Sequence, residues 1–160
     1  MISTSSRKAL FAAALASLAL PLLSVAAIAG DCPPGKTGVD VTKPGAMAPK
    51  DVTDTVIASI DLGAQYKIDG RLLRMRKLVV QPGGIVPWHS HAERPANIYI
   101  VSGAITEYRS TCAVPIEHAA GEVTAEQGNV SHWWKNNSKT TAVLISSDIV
   151  PAPMKDTGGM

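Results

Sequence analysis

The chain has 160 residues, with 15 Lys and Arg against 13 Asp and Glu, 4 His and 2 Cys. Arg7 and Lys8 fall in an N-terminal stretch that has the form of a targeting segment, and without them the basic count drops to match the acidic one. That balance, with no Lys/Arg run and no aromatic–basic stripe, excludes a nucleic-acid-binding surface.

Residues 1–29 read as a signal peptide. A short basic start precedes the Ala/Leu-rich run Leu10 to Ile28, and Ala27-Ile28-Ala29 has the small-x-small form of a cleavage site, with Gly30 as the new N-terminus. A retained membrane anchor is the alternative. The run is borderline against the ~20 apolar residues of a spanning helix, and Pro21 and Ser24 interrupt it. Nothing later is long and apolar enough to span a bilayer, so no membrane partner is expected after cleavage. The expected location is the periplasm or outside the cell. The remaining roughly 130 residues suffice for one domain with one core. In an exported chain the pair Cys32 and Cys112 is expected to form a disulfide.

Residues 30–52 are rich in Pro, Gly and Lys and read as an extended surface arm. Residues 53–151 read as the folded barrel. Val56, Ala58 and Ile60 alternate with their neighbours up to Gly63, and Asp69-Gly70 is a turn dipeptide. From Arg71 to Gln81, Leu73 and Met75 alternate with Arg74 and Arg76 as in a half-buried strand. The phase then breaks at Lys77. A bulge near Arg76-Lys77 would repair it, or both faces are covered, for instance by a second subunit, which makes a homodimer a candidate state. Pro82-Gly83-Gly84 is expected to end this strand. Asn97 to Ser102 is a strand, Gly103 a turn needing positive φ, and Ala104 to Arg109 its partner. Glu122 to Ala125 and Thr141 to Val150 follow, the latter apolar on both faces, and residues 152–160 are expected to be a disordered tail. No helical period of useful length occurs after residue 30. Roughly seven to nine short β-rich runs with frequent turn signals argue for an all-β sandwich or barrel.

His89 and His91 stand two residues apart, so on a strand they share a face ~7 Å apart along the chain. Two imidazoles so placed can converge on one ion at ~2.0–2.1 Å, and His132 is the natural third ligand from a distant strand. Trp88 and Trp133 fall on the opposite parity and read as sheet-packing residues, whereas Trp134 shares the parity of His132 and could line the pocket mouth. Ile98 and Ile100 would give the pocket an apolar floor, with Tyr99 facing away. His118 reads as a surface histidine. Arg94 reads as a solvated loop arginine, with an anion clamp at the entrance as the alternative.

The stretch Gly83-x5-His89-x-His91, ending at Gly103, with Gly128 and His132-x3-Asn136 further on, resembles the two motifs of the cupin family. The resemblance covers roughly residues 71 to 150. It implies a single-domain double-stranded β-helix barrel, or jelly roll, with a metal between its sheets. The family's acidic ligand position falls on Ala96, and Glu126 stands where the second motif has proline. Glu93, two residues after His91, is the candidate replacement, as a fourth ligand and as the first residue to test for proton transfer. Three imidazoles suit Fe, Mn, Cu, Ni or Zn alike. The functional expectation is an exported cupin that binds a divalent metal through His89, His91 and His132, as a metal-dependent oxygenase or related enzyme on a small organic substrate. The alternative is a cupin that binds metal or a small ligand without turnover.

Overall fold

A computed structural model describes residues 31–153. The signal segment expected over 1–29, and residues 154–160 of the expected tail, lie outside the described residues. The described chain forms β1 (Lys50–Asp61), the short helix α1 (Gly63–Tyr66), β2 (Arg71–Ser90), β3 (Ala96–Ser102), β4 (Ala104–Arg109), β5 (Ile116–Ala119), β6 (Val123–Glu126), β7 (Ser131–Lys135) and β8 (Ala142–Pro151). The strands pair in the order β5-β4-β7-β2-β8-β3-β6, with β1 added on β2, and every pairing is antiparallel. The sheet curls on itself. Ala120 N–H donates to Gly103 O (3.1 Å) and Gly121 N–H to Ile100 O (2.8 Å), returning the β5–β6 turn to the corner where β3 passes into β4. Gly103 makes that corner: its φ is +77°, and an added Cβ would stand 2.6 Å from Thr141 O. Contrary to the sequence reading, β4 does not pair with β3: β3 lies between β8 and β6, and β4 between β5 and β7. The architecture is the all-β jelly roll that the sequence predicts.

The curl depends on β2, where the structure departs from the sequence reading. Pro82-Gly83-Gly84 does not end this strand, which runs 20 residues to Ser90. Instead these residues bend it. Gly83 takes φ +77°, a conformation that side-chain-bearing residues resist. Residues Arg71 to Val80 pair with β8, whereas Ile85 to Ser90 pair with β7. One strand therefore serves both layers, and its far half carries the histidine pair.

The inward face of β2 also differs from expectation. The β2–β8 register runs unbroken from Arg71↔Pro151 to Val80↔Ala142. Arg74 and Arg76 turn inward with Leu78 and Val80, and Leu73 and Met75 face out, 36% and 41% exposed. The register slip lies in the β1–β2 pairing, between Val56↔Arg76 and Ala58↔Met75, and so at Ile57 of β1 rather than within β2. Inward arginines are tolerated only with a partner. The register supplies one by placing Asp148 opposite Arg74. Beyond the arginines, Val80, Ile98, Ile100, Ile105, Trp134 and Leu144 form the dry core, each aliphatic side chain contributing ~1.5–3 kcal/mol by burial.

The arm is pinned to the barrel. Cys32 and Cys112 form a disulfide with a Cα–Cα distance of 5.6 Å across a separation of 80 residues. Gly38 and Val41 N–H groups donate to Thr111 O and Ser110 O, both at 3.0 Å. Thiol titration of the unreduced, denatured protein should find no free cysteine, and reduction should lower stability by up to ~4 kcal/mol. Two titratable thiols would contradict the bridge.

Candidate metal centre

His89 on β2 lies directly opposite His132 on β7. A register slip between Val86 and His89 puts a bulge at Pro87-Trp88, which re-aims the following side chains inward. The three imidazoles meet Nε2 to Nε2: His89–His91 at 3.1 Å, His91–His132 at 3.0 Å and His132–His89 at 3.1 Å. Each ring donates its other nitrogen's proton elsewhere. His89 Nδ1–H donates to Pro87 O (2.8 Å), His91 Nδ1–H to Arg94 O (2.8 Å) and His132 Nδ1–H to Glu107 Oε1 (2.5 Å). Those partners only accept, so in the neutral rings all three Nε2 atoms carry lone pairs. Three lone pairs aimed at one point repel one another unless a cation stands among them.

The spacing fits one ion. Nitrogens ~2.1 Å from a common metal stand about 3.0 Å apart at right angles and about 3.4 Å apart at the tetrahedral angle. The observed triangle matches three adjacent corners of an octahedron, a set that leaves coordination positions open. Burial, followed by the charge that His132 would carry, lowers His89 to about 3 and His91 to about 4. Both rings are therefore neutral and ready to ligate at pH 7.

The same shifts set a pH dependence for the metal-free protein. The unfolded chain takes up protons on these histidines below about pH 6.5, whereas the folded one does not until about pH 4 and then about pH 3. The folded state thus binds fewer protons in that window, and its stability should fall as pH drops from 6.5 toward 4. Thermal melts of chelated protein should show this. A melting temperature that rises on acidification would contradict it.

Behind His132 lies a buried charged cluster. Glu107 accepts from His132 Nδ1–H, from His118 Nε2–H (3.0 Å) and from Arg109 through Nε (2.8 Å) and Nη2 (3.0 Å). Arg109 Nη2 also reaches Thr124 (2.9 Å) and Glu126 (2.8 Å), joining β4 to β6 across the barrel. Burial alone would raise the Glu107 carboxyl. Hydrogen bonds from His118, His132 and Arg109 outweigh it and hold Glu107 well below the usual carboxylate range. Burial, then the neighbouring Glu107 charge, pushes Glu126 up. Glu107, Glu126 and His132 are themselves grouped closely enough to hold an ion. Arg109 already occupies that side as the cation, so the metal position is the Nε2 side. Glu107 fixes the ring and tautomer of His132, as carboxylates do behind ligating histidines.

Other predicted residues divide. Trp134 is 2% exposed and stacks on His118, with ring centroids 4.7 Å apart, and its indole N–H points at the His132 ring. Trp133 faces outward, stacked on Tyr108. His118 is a correction: it is fully buried, because β5 pairs it with Ile105 on the inward face of β4. Glu93 is a second one. It lies exposed in the turn after β2, apart from the histidine cluster, and the chain there folds back through Arg94 N–H to His91 O. Ala96 is buried, in register with Glu126 on β6 and Asp148 on β8.

A cavity of about 200 Å³ opens beside His89 and His91. Leu78, Val86, Ile98, Trp134 and Leu144 wall it, and Arg76, Arg94, Asp54 and Ser146 supply its polar groups.

The family model for the cupin domain matches residues 76–148, a span that contains all three histidines. The chain carries a cupin domain over these residues. Among solved structures this cupin is similar to the TT1209 protein from Thermus thermophilus, at TM-score 0.50 and 16% identity, covering 68% of this chain and 91% of that one. That likeness concerns the fold. The cupin domain of Schizosaccharomyces pombe Cnp3 aligns at TM-score 0.49 and 11% identity, over 64% of this chain and 63% of that one. An oxalate oxidase in complex with the substrate analogue glycolate aligns at TM-score 0.49 and 20% identity, over 76% of this chain and 66% of that one. The match thus spans less than two thirds of the Cnp3 domain and of the oxalate oxidase. No curated protein sequence matches this cupin.

Sequence reasoning missed Glu107, Arg109 and Glu126, and the arginines around Asp148. A signal existed: Ile105, Glu107 and Arg109 share one parity of a strand, as do Thr124 and Glu126. Charged residues on the parity of a core isoleucine point to a buried ion network.

Proposed function

We propose that this cupin is exported, holds one divalent transition-metal ion through His89, His91 and His132, and acts as a metal-dependent oxygenase or related enzyme on a small organic substrate. The observation that carries this reading is the convergence of three Nε2 lone pairs within 3.0–3.1 Å of one another beside an apolar cavity. A bound ion supplies Lewis acidity and, if it is redox-active, electron transfer to dioxygen. Imidazole suits Fe, Mn, Cu, Ni and Zn. The chain's own part is threefold. Three neutral imidazoles leave the ion's charge uncompensated by protein, Glu107 holds His132 in one tautomer, and the apolar walls exclude water.

A cupin that binds without turnover is the second reading. It is favoured by the pairing of the cavity's carboxylate, Asp54, with Arg76, which leaves no unpaired carboxylate in the cavity among the described residues, and by the exposed position of Glu93 away from it. Oxygen uptake by the protein loaded with Fe(II) or Cu(II), over a panel of small phenols, thiols and enols, separates the two. Uptake that disappears in His89→Ala supports the enzyme. Stoichiometric metal with no uptake on any substrate supports the binding protein.

The chain is further proposed to pair with a second copy through the outer sheet face. Ile60, Leu73, Met75, Tyr99 and Val101 lie there, 36–49% exposed. Light scattering on the processed chain should report a dimer, and a monomer at micromolar concentration would count against it.

A further inference from the structure

The arginines at the cavity rim carry an inference about what the cavity accepts. Asp148 has no exposed side-chain surface, and three guanidinium groups surround it. Arg74 binds it in fork geometry through Nε (3.0 Å) and Nη2 (2.9 Å), Arg94 Nη1 lies 3.2 Å away and Arg76 Nε 3.4 Å away. Arg76 also pairs with Asp54. Three positive charges thus face two negative ones. Asp148 sits behind the arginines, while Arg76 and Arg94 present their remaining surface to the cavity. The polar end of the cavity therefore carries one surplus positive charge before any metal is added, and the opposite walls are aliphatic.

We propose that the cavity binds a small organic monocarboxylate, its carboxylate held by Arg76 and Arg94 and its apolar body packed against Leu78, Val86, Ile98 and Leu144. The charge surplus is single, which matches a monoanion. Guanidinium groups match a carboxylate's two oxygens. The apolar walls need a hydrocarbon body to fill them, which an inorganic anion lacks. At about 200 Å³ the cavity lies below the ~300–1,000 Å³ of drug-sized sites, so the body is no larger than a single ring or a short chain. Asp148 and Arg74 are positioning residues: they fix the rim arginines without facing the cavity themselves. The proposal deepens the proposed function and rests on the cavity beside the histidines being the ligand site.

Calorimetric titration of the full processed protein tests it, with benzoate, benzamide and inorganic phosphate as probes, both metal-loaded and chelated. Benzoate is expected to bind ahead of benzamide and phosphate in both forms. Arg94→Met should weaken benzoate by roughly tenfold to a hundredfold, with little change for benzamide. Asp54→Asn removes a negative charge at an exposed strand position and should tighten benzoate binding. This variant keeps the proposal testable if Arg94→Met fails to fold. Binding to the chelated protein makes the test independent of the metal: loss of the metal reading leaves the carboxylate preference standing, and the reverse. Equal affinity for benzoate and benzamide overturns the proposal. So do preferred binding of phosphate, no binding of benzoate at millimolar concentration, or an unchanged benzoate preference in both variants.

Discussion

Arg109→Met should destabilise the folded protein by about 3–5 kcal/mol, among the largest effects of any single substitution in this chain. Among the described residues Arg109 is the one cation between two buried carboxylates, reaching Glu107 through two bonds and Glu126 through a third. The side chains of Glu107 and Glu126 are both fully buried. Methionine keeps much of the volume but leaves both acids without their counter-ion in a low-dielectric interior. Glu126, already pushed up by burial and by Glu107, would then take a proton first. Denaturant titration near neutral pH measures the loss. Adding Glu126→Gln to the variant should recover part of it, because that change removes one stranded charge. A loss below about 1 kcal/mol would place Arg109 with ordinary surface ion pairs and contradict the network as described.

His91→Ala should abolish stoichiometric metal binding. Two imidazoles would remain, and no carboxylate is grouped with them on the Nε2 side among the described residues. Glu107→Gln should have a smaller and different effect. The amide can still accept from His132 Nδ1–H, but it no longer makes that ring more basic, and affinity should fall by about 10–100-fold. Competition against a chromogenic chelator reads both variants. Wild-type affinity in His91→Ala would show that the ion sits elsewhere.

The fold was legible in the sequence because its punctuation is local. Gly103 announces the turn that ends β3, though not that β4 leaves for the other layer, and the alternation of Ile98 and Ile100 with Tyr99 sets the phase of β3. The histidine trio was legible for the same reason, since parity alone turns His89 and His91 to one side. What stayed hidden depends on long-range register. Nothing local tells that β4 lies against β7, which sets Arg109 opposite His132, or that β5 puts His118 opposite Ile105. Arg74 and Arg76 misled by composition: arginines flanked by Leu73 and Met75 read as a solvent face, until the register brings Asp148 beside them. The bend at Gly83 read as a strand end because Pro-Gly-Gly breaks regular pairing, and a break looks the same in sequence whether the strand stops or turns a corner.

The most direct test of the metal centre is elemental analysis with X-ray absorption spectroscopy at the edge of whatever metal is found, on protein purified from its own compartment. About one ion per chain is predicted, with three imidazole nitrogens at ~2.0–2.2 Å and no carboxylate from the chain. The signal should disappear in His91→Ala. Protein that carries no metal and takes up none when supplied with Fe(II), Mn(II), Cu(II), Ni(II) or Zn(II) would contradict the account.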